Sequence, residues 1–239
     1  MHSIEEISGP VLVVTAHPDD IEVHCGGTVA QLVDRGTPVT CVLCTSGNRG
    51  TANPEATMEE MGAIREKEQR AAAEVLGVQD LRFLRHDDGD LEFVKLQLRE
   101  QIVRLIREIK PQTVITHDPY PGDGGQDSCS IYPDHLTVGQ VAFQSAYVCA
   151  SAPLFYPEHL KQGLRPWKPS VLYLVMSAHP SVFIDITEVW PDKLQAIRRH
   201  RSQGRDSSEN DREMERINRE NGTRTGVPFA EPFRILPPR

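Results

Sequence analysis

The chain has 239 residues, of which 38% are hydrophobic and 25% charged, and its formal net charge is −8 at pH 7. This length suits one α/β domain with a full core, and no apolar run approaches the roughly 18 residues of a membrane span, so we expect no membrane partner. The negative charge argues against a nucleic-acid partner, because nucleic-acid-binding domains carry a basic face. The five cysteines and the lack of a signal-peptide pattern favour a cytoplasmic protein with reduced thiols.

Strand and helix patterns alternate along most of the chain. Apolar, β-branched runs typical of buried strands lie at 11–16, 39–45, 81–84 and 113–116, with helical patterns between them at 28–34, 58–76 and 92–109. Beyond these, helices are predicted at 135–150 and 190–200, and strands at 171–175 and 182–186. The alternation predicts an α/β, Rossmann-like fold with a mostly parallel sheet, helices on both faces, and a site at the carboxyl ends of the strands.

The predicted elements fall into one domain and a tail. Residues 1–204 contain all of them and are interpreted as a single α/β domain. Residues 205–239 are highly charged and then rich in proline, with few apolar side chains, so we expect a solvated arm or a weak helix there.

Three polar side chains, His17, Asp19 and Asp20, follow the first buried strand. His17 and Asp20 are three residues apart across a turn and can bind one ion. A catalytic zinc site typically has three protein ligands and an open position for water, and His135 is the best third candidate because it follows the loop after the strand that ends at Thr116. Two imidazoles and one carboxylate suit zinc or another divalent transition metal better than calcium or magnesium.

Asp19 is adjacent to a proposed ligand without being needed as one. A carboxylate beside the metal can take a proton from water and pass it to a leaving amine. From the Asp19-Asp20 pair alone, a helix cap beside a surface histidine is an equally good interpretation.

Several short motifs extend this pattern. They are Ala16-His17-Pro18-Asp19-Asp20, Gly26-Gly27-Thr28, Thr45-Ser46-Gly47, Pro133-Asp134-His135, Lys193 and His200-Arg201-Ser202-Gln203. Together they resemble the LmbE-like or PIG-L family of N-acetylglucosaminyl deacetylases, from about residue 10 to Gln203. The resemblance implies a zinc-dependent hydrolase that removes the acetyl group of an N-acetylglucosamine-type sugar, with His17, Asp20 and His135 as ligands and Asp19 as the base.

The resemblance also implies roles outside the metal motif. Arg65 on the second long helix and Asp88 on the following turn match positions that contact the sugar in relatives. An amino-sugar substrate and a homo-oligomer, a hexamer or trimer, are implied in the same way.

One position departs from the family pattern. Tyr132 stands where the family usually has a histidine that is thought to stabilise the oxyanion or bind the acetyl group. A phenol donates a hydrogen bond but carries no positive charge. The role either stays with Tyr132 in weaker form, passes to another residue such as His179, of this or a neighbouring subunit, or is lost. Asp134, which would orient the missing histidine, is better interpreted as a helix cap.

Other interpretations remain open on the sequence. An amidase on a sugar-linked thiol or another conjugated amide would use the same residues, and a metal-bearing binding protein with lost catalysis would explain Tyr132. A dinucleotide-binding oxidoreductase is disfavoured, because the first turn lacks the G-x-G-x-x-G pattern and carries carboxylates. Cys41 and Cys44 are interpreted as buried small hydrophobes that face opposite sides of a strand, and His117 as the start of a loop at the edge of the site.

Overall fold

A computed structural model describes residues 3–120 and 132–236. Its strands are β1 (Val11–Thr15), β2 (Val39–Thr45), β3 (Asp80–His86), β4 (Thr113–His117), β5 (Val171–Val175), β6 (Val182–Asp185) and β7 (Ala230–Leu236). Its α-helices are α1 (Asp20–Asp34), α2 (Met58–Val75), α3 (Lys95–Ile109), α4 (Pro133–Gln144), α5 (Glu158–Lys161), α6 (Trp190–Ile197) and α7 (Ser208–Thr223). Short 3₁₀ turns lie at Ile4–Glu6, Leu91–Val94 and Arg201–Gln203, and a π-helical turn at Ser145–Cys149 follows α4.

The strands form one sheet in the order β3-β2-β1-β4-β5-β7-β6. The pairs from β3 to β5 are parallel, and β7 is antiparallel to both of its neighbours. The predicted mostly parallel α/β fold is therefore confirmed. Within the described ranges, no helix has both the length and the apolar character that a membrane span requires.

Both faces of the sheet are covered by helices. Successive β1 residues face opposite sides, so that Val13 packs in the core beneath α1, α2 and α6, while Val14 packs beneath α3 and α4. Cys41 and Cys44 divide in the same way and are buried in different cores, as predicted. The central strands are apolar throughout because each has a core on either side.

Helix α1 begins at Asp20, well before the helix predicted at 28–34. Gly26 and Gly27, which precede the predicted helix, lie inside α1, just after Cys25, whose φ of −145° and ψ of 15° break the helical geometry. Gly27 is needed there for space, because a Cβ on it would lie 2.7 Å from Cγ2 of Ile186. Gly27 thus allows close packing of α1 against the chain that follows β6.

The segment after residue 204 is part of the fold, and the expectation of a solvated arm is wrong. Helix α7 packs against β7, and β7 lies between β5 and β6. Backbone hydrogen bonds to both neighbours hold β7 within the sheet. Met214 and Phe233 supply buried contacts to the core.

A buried ion pair joins the C-terminal strand to α1. Glu231, which is fully buried, accepts hydrogen bonds from the backbone N–H groups of Gly27 and Thr28, each at 2.8 Å. Lys193 donates to Glu231 at 2.6 Å and to Asn218 Oδ1 at 3.2 Å. The carboxylate therefore satisfies two N–H groups that the kink in α1 releases, while the ammonium balances its charge.

Candidate active site

The predicted site residues lie at the carboxyl ends of two neighbouring parallel strands. His17 follows β1 directly, and Asp20 is the first residue of α1. His135 is in the first turn of α4, which follows β4, the neighbour of β1. The parallel pairing of β1 and β4 therefore brings His17 and His135 together, although they are 118 residues apart in the chain.

The three predicted ligands converge on one point. Nδ1 of His17 lies 3.1 Å from Nε2 of His135 and 3.6 Å from Oδ2 of Asp20, and Nε2 of His135 lies 3.3 Å from Oδ1 of Asp20. Ligand atoms about 2.1 Å from a tetrahedral ion are about 3.4 Å apart, so these separations match a shared cation. This buried His-His-Asp set can hold a metal ion.

Two further carboxylates orient His17. Its Nε2 lies 3.2 Å from Oδ1 of Asp88 and 3.3 Å from Oδ2 of Asp134. A proton on Nε2 that is held by these acceptors leaves the Nδ1 lone pair free for a metal. Burial on its own would lower the pKa of His17, but its hydrogen bonds with Asp134 and the other carboxylates raise that pKa well above the ordinary value.

Asp134 is not a helix cap, contrary to the expectation. Its Oδ2 accepts the backbone N–H of Gly89 at 2.7 Å, and its Oδ1 accepts that of Leu91 at 3.3 Å. The fully buried carboxylate thus ties α4 to the turn after β3 and supports His17. Tyr132 replaces the histidine that Asp134 would orient in the family pattern, and in the structure Asp134 contacts His17 instead.

His117, at the end of β4, contacts two of the three predicted ligands, Asp20 and His135. Its Nε2 lies 3.2 Å from Oδ2 of Asp20, and its ring stacks on His135 with the centroids 4.4 Å apart. Burial, followed by the positive neighbour His135, lowers the pKa of His117 to about 4, so the ring is neutral near pH 7. Burial works to raise the pKa of Asp20, but His135 and His117 hold it well below the ordinary value. Sequence reasoning placed His117 at the site edge without this role.

Asp19 has a left-handed backbone, with a φ of 97°. Side chains other than glycine rarely adopt this conformation. Its N–H donates to Oε1 of Gln69 at 3.0 Å, Gln69 donates to Oε1 of Glu22 at 2.7 Å, and Oε2 of Glu22 lies 3.1 Å from Nε2 of His200. This buried chain of side chains, from α2 through α1 to His200 beyond the end of α6, holds the turn at Asp19 in place.

The carboxylate of Asp19 lies between two guanidinium groups. Arg65 Nη2 is 3.3 Å from Oδ1, and Arg205 Nε and Nη2 are 3.0 Å and 2.9 Å from Oδ2. Arg65 also donates to the carbonyls of Gly47 at 3.1 Å and Pro18 at 2.6 Å, and it is only 4% exposed. It is therefore an anchored residue of the site and not a solvated residue on the surface of α2.

Tyr132 lies at the mouth of the site. Its hydroxyl donates to Oδ1 of Asp88 at 3.4 Å, and its ring packs edge-on against His17 with the centroids 5.4 Å apart. Partial burial, and then the neighbouring Asp88, raise the pKa of Tyr132, so the phenol keeps its proton near pH 7. His179 is exposed between β5 and β6 and does not line the cavity described below, so one chain alone does not bring it to the site. Residues 121–131 of the predicted long loop lie outside the described residues.

The site opens into a cavity of about 760 Å³. The metal-site end is lined by His17, Asp19, Asp20, Arg65, Asp88, Tyr132, His135 and Arg205. The other end is formed by α7, the turn after β5 and the start of β7. The cavity thus joins the predicted metal site to the C-terminal segment.

Comparison with known proteins agrees with this geometry. The sequence profile of the PIG-L family, described as GlcNAc-PI de-N-acetylase, matches residues 12–146. The chain belongs to this family. The expected membership, and with it the expectation of a deacetylase, is confirmed.

Two relatives of known name are similar over most of this PIG-L chain. A diacetylchitobiose deacetylase of Thermococcus kodakarensis is 34% identical over 194 residues, which cover 81% of this chain and 69% of the relative. A probable N-acetyl-α-D-glucosaminyl L-malate deacetylase of Bacillus anthracis is 34% identical over 205 residues, with coverage of 81% and 80%. Among solved structures, the N,N'-diacetylchitobiose deacetylase of Pyrococcus horikoshii superposes with a TM-score of 0.86 at 32% identity and covers 95% of this chain and 83% of its own.

Proposed function

We propose that this protein is a metal-dependent deacetylase that hydrolyses the acetamide of an N-acetylglucosamine-type sugar or glycoside, with zinc as its metal. The observation that carries this proposal is the convergence of His17, Asp20 and His135 beside the carboxylate of Asp19. The names of the relatives support an amino-sugar substrate.

The donor set fits a divalent transition metal. Two imidazole nitrogens and one carboxylate oxygen form the nitrogen and oxygen set that zinc accepts at catalytic sites. A second buried group, His17, Asp88 and Asp134, shares His17 with this set. We assign Asp88 and Asp134 to the Nε2 side of that ring, where they hold its proton and orient Nδ1. An ion held by His17, Asp20 and His135 would supply a Lewis acid that polarises the acetyl carbonyl and lowers the pKa of water towards neutrality.

Asp19 acts as the general base in this proposal. It takes a proton from the water whose oxygen forms the new bond to the acetyl carbon, and it passes that proton to the sugar nitrogen as the carbon–nitrogen bond breaks. Arg205 occupies its Oδ2 with two contacts, whereas Oδ1 has a single longer one from Arg65, so Oδ1 is the oxygen with room for water. The products are acetate and the free amine.

Three side chains at the metal-site end contact the substrate in this proposal, and one of them, Asp88, also orients His17 through its Oδ1. Arg65 and Asp88 are near each other at the metal-site end, with Arg65 Nη1 3.9 Å from Asp88 Oδ2, and we assign them to the sugar hydroxyls and the acetamide. The protonated phenol of Tyr132 donates a hydrogen bond to the carbonyl oxygen as negative charge develops there. Since it carries no positive charge, its contribution is smaller than that of an imidazolium.

The family resemblance further supports a homo-oligomer in the cytoplasm. In such an assembly the exposed His179 would be available to the site of a neighbouring subunit. Mixing two inactive variants, His179→Ala and Asp19→Asn, tests this, because subunits that exchange a histidine recover part of the activity in mixed oligomers. If the subunits are shown to mix and no activity is recovered, His179 does not contribute to the site of a neighbouring subunit.

A substrate screen tests the function. Zinc-loaded protein is incubated separately with N-acetylglucosamine, N,N'-diacetylchitobiose and N-acetyl-α-D-glucosaminyl L-malate. Acetate and free amine are both measured, and we expect them in equal amounts. Asp19→Asn with the same metal content is the matched control. Release of acetate by the parent alone supports the proposal, and no release from any of the three contradicts it.

A further inference from the structure

We propose that the end of the cavity formed by α7 is a subsite for the group attached to the amino sugar, and that it accepts a neutral, hydroxyl-bearing ring in preference to an anionic group. We name it the α7 subsite and define it by Met176, Ser177, Ile217, Asn221 and Pro232. The proposal rests on the proposed function, because it concerns the substrate of the same site.

The cavity is larger and longer than the metal site requires. Its volume of about 760 Å³ lies in the range that holds ligands larger than a single sugar ring. His24 lines it one helical turn beyond Asp20 on α1, so the lining is continuous from the metal site towards α7. A substrate whose acetamide is at the metal can therefore extend towards α7.

The apolar part of the α7 subsite lies on a helix that is otherwise polar. Ile217 and Met214 are the two apolar side chains in the described α7, and Met214 is buried in the core while Ile217 remains 36% exposed. Met176 and Pro232 add apolar surface from the turn after β5 and from β7. Such a surface suits the C–H face of a ring.

Polar groups of the α7 subsite have hydrogen-bonding capacity to spare. Within residues 3–120 and 132–236, the side-chain amide of Asn221 makes no hydrogen bond, and the hydroxyl of Ser177 accepts one from the backbone N–H of His179 at 3.2 Å. An amide and a hydroxyl can both donate to and accept from sugar hydroxyls. Neutral polar groups beside an apolar surface favour a hydroxyl-bearing ring.

The charges at this end oppose an anionic group. Arg216 lines the cavity, but Glu213 holds its Nε at 2.9 Å and its Nη2 at 2.7 Å, while Glu220 holds Nη1. One guanidinium between two carboxylates leaves a net negative charge. Lys193, which also lines the cavity, is paired with Glu231, and at the metal-site end Arg205 is paired with Asp19. Each described arginine and lysine near this end thus faces a carboxylate of the protein, and a carboxylate on the substrate would meet repulsion.

Two variants test the α7 subsite from opposite directions. Ile217→Ser should lower the ratio of kcat/KM for N,N'-diacetylchitobiose over N-acetylglucosamine by about tenfold, the scale of a small lost apolar contact. Glu213→Gln combined with Glu220→Gln frees Arg216 and should raise the ratio for the L-malate glycoside over N,N'-diacetylchitobiose by about tenfold, the scale of one charge-assisted hydrogen bond. Glu209→Gln combined with Glu215→Gln, on the same helix but outside the cavity lining, is the matched control.

The outcomes separate this proposal from the function itself. If the parent releases acetate but neither variant changes its ratio relative to the control, the α7 subsite is overturned while the deacetylase stands. If the parent releases no acetate from any substrate, the proposed function fails. Calorimetric binding of N,N'-diacetylchitobiose and the malate glycoside to zinc-loaded Asp19→Asn then still tests the subsite, and tighter binding of the malate glycoside would overturn it.

Discussion

Arg205 contacts the carboxylate of Asp19 with two nitrogens, Nε at 3.0 Å and Nη2 at 2.9 Å from Oδ2, across 186 residues of sequence. This ion pair joins the turn after β1 to the segment that precedes α7. The C-terminal segment thus completes the candidate active site, and its removal would leave Asp19 with one guanidinium partner, Arg65.

Arg205→Met should lower kcat while leaving metal content unchanged. Asp19 would lose one of the two groups that fix its orientation, and since Arg205 is 29% exposed we expect the lower end of the effect of a charged hydrogen bond, about tenfold. Steady-state kinetics at equal zinc content measure this. Arg201→Met, which changes a more exposed arginine nearby, is the control, and equal kcat in the two variants would contradict the role of Arg205.

Gln69→Leu should reduce kcat and thermal stability together. The N–H of Asp19 would lose its acceptor, and Oε1 of the buried Glu22 would lose its donor, which costs about 1–3 kcal/mol for each unsatisfied group. Calorimetric unfolding and acetate release measure the two effects. Lys67→Leu is the control because Lys67 is exposed on the same helix. A stable Gln69→Leu protein with normal kcat would show that the turn at Asp19 does not depend on Gln69.

Metal analysis distinguishes the two buried groups that share His17. Asp20→Ala should abolish stoichiometric zinc, because it removes a ligand. Asp88→Ala should retain zinc with an affinity lower by about 10- to 100-fold, as for the loss of a group that orients a ligand. Elemental analysis after dialysis against graded chelator separates these cases. The reverse order of the two variants would place the metal between His17, Asp88 and Asp134.

Tyr132→Phe should lower turnover without loss of metal. The phenol is protonated near neutral pH, and removing one oxyanion donor typically costs on the order of 3 kcal/mol, although an uncharged donor contributes less. Kinetics at equal zinc content measure the loss, and Tyr132→His is the informative companion. A Tyr132→His protein that is more active than the parent would agree with the weaker role of the phenol, whereas unchanged activity in Tyr132→Phe would exclude that role.

The sequence was informative where local patterns set the structure. The buried strands were predicted close to their limits because their apolar runs are continuous, and the spacing of His17 and Asp20 placed two side chains at one strand end. The third predicted ligand, His135, meets them because parallel pairing of β1 and β4 is a regular feature of this fold class. Fold and candidate metal set thus followed from short-range patterns and one topological rule.

The parts that the sequence did not predict depend on pairing between distant residues. Strand β7 contains the buried Glu231, which counts as polar in any hydrophobic pattern, and its burial is tolerable because Lys193 and two backbone N–H groups of α1 compensate its charge. Arg205 lies in the segment that was expected to be an arm. Its partner Asp19 is 186 residues away, so no local pattern indicates that the arginine belongs to the site. Gln69 lies on an amphipathic helix among charged residues, and no local signal separates a buried glutamine there from a solvated one.

Acetate release at equal metal content is the most direct test of Asp19 as the base of a metal-dependent deacetylase. The parent and Asp19→Asn are both loaded with zinc and mixed with N,N'-diacetylchitobiose in single-turnover experiments. We expect the parent to release acetate and Asp19→Asn to be slower by about two to four powers of ten. Equal rates for the two proteins at equal zinc content would contradict the proposed mechanism.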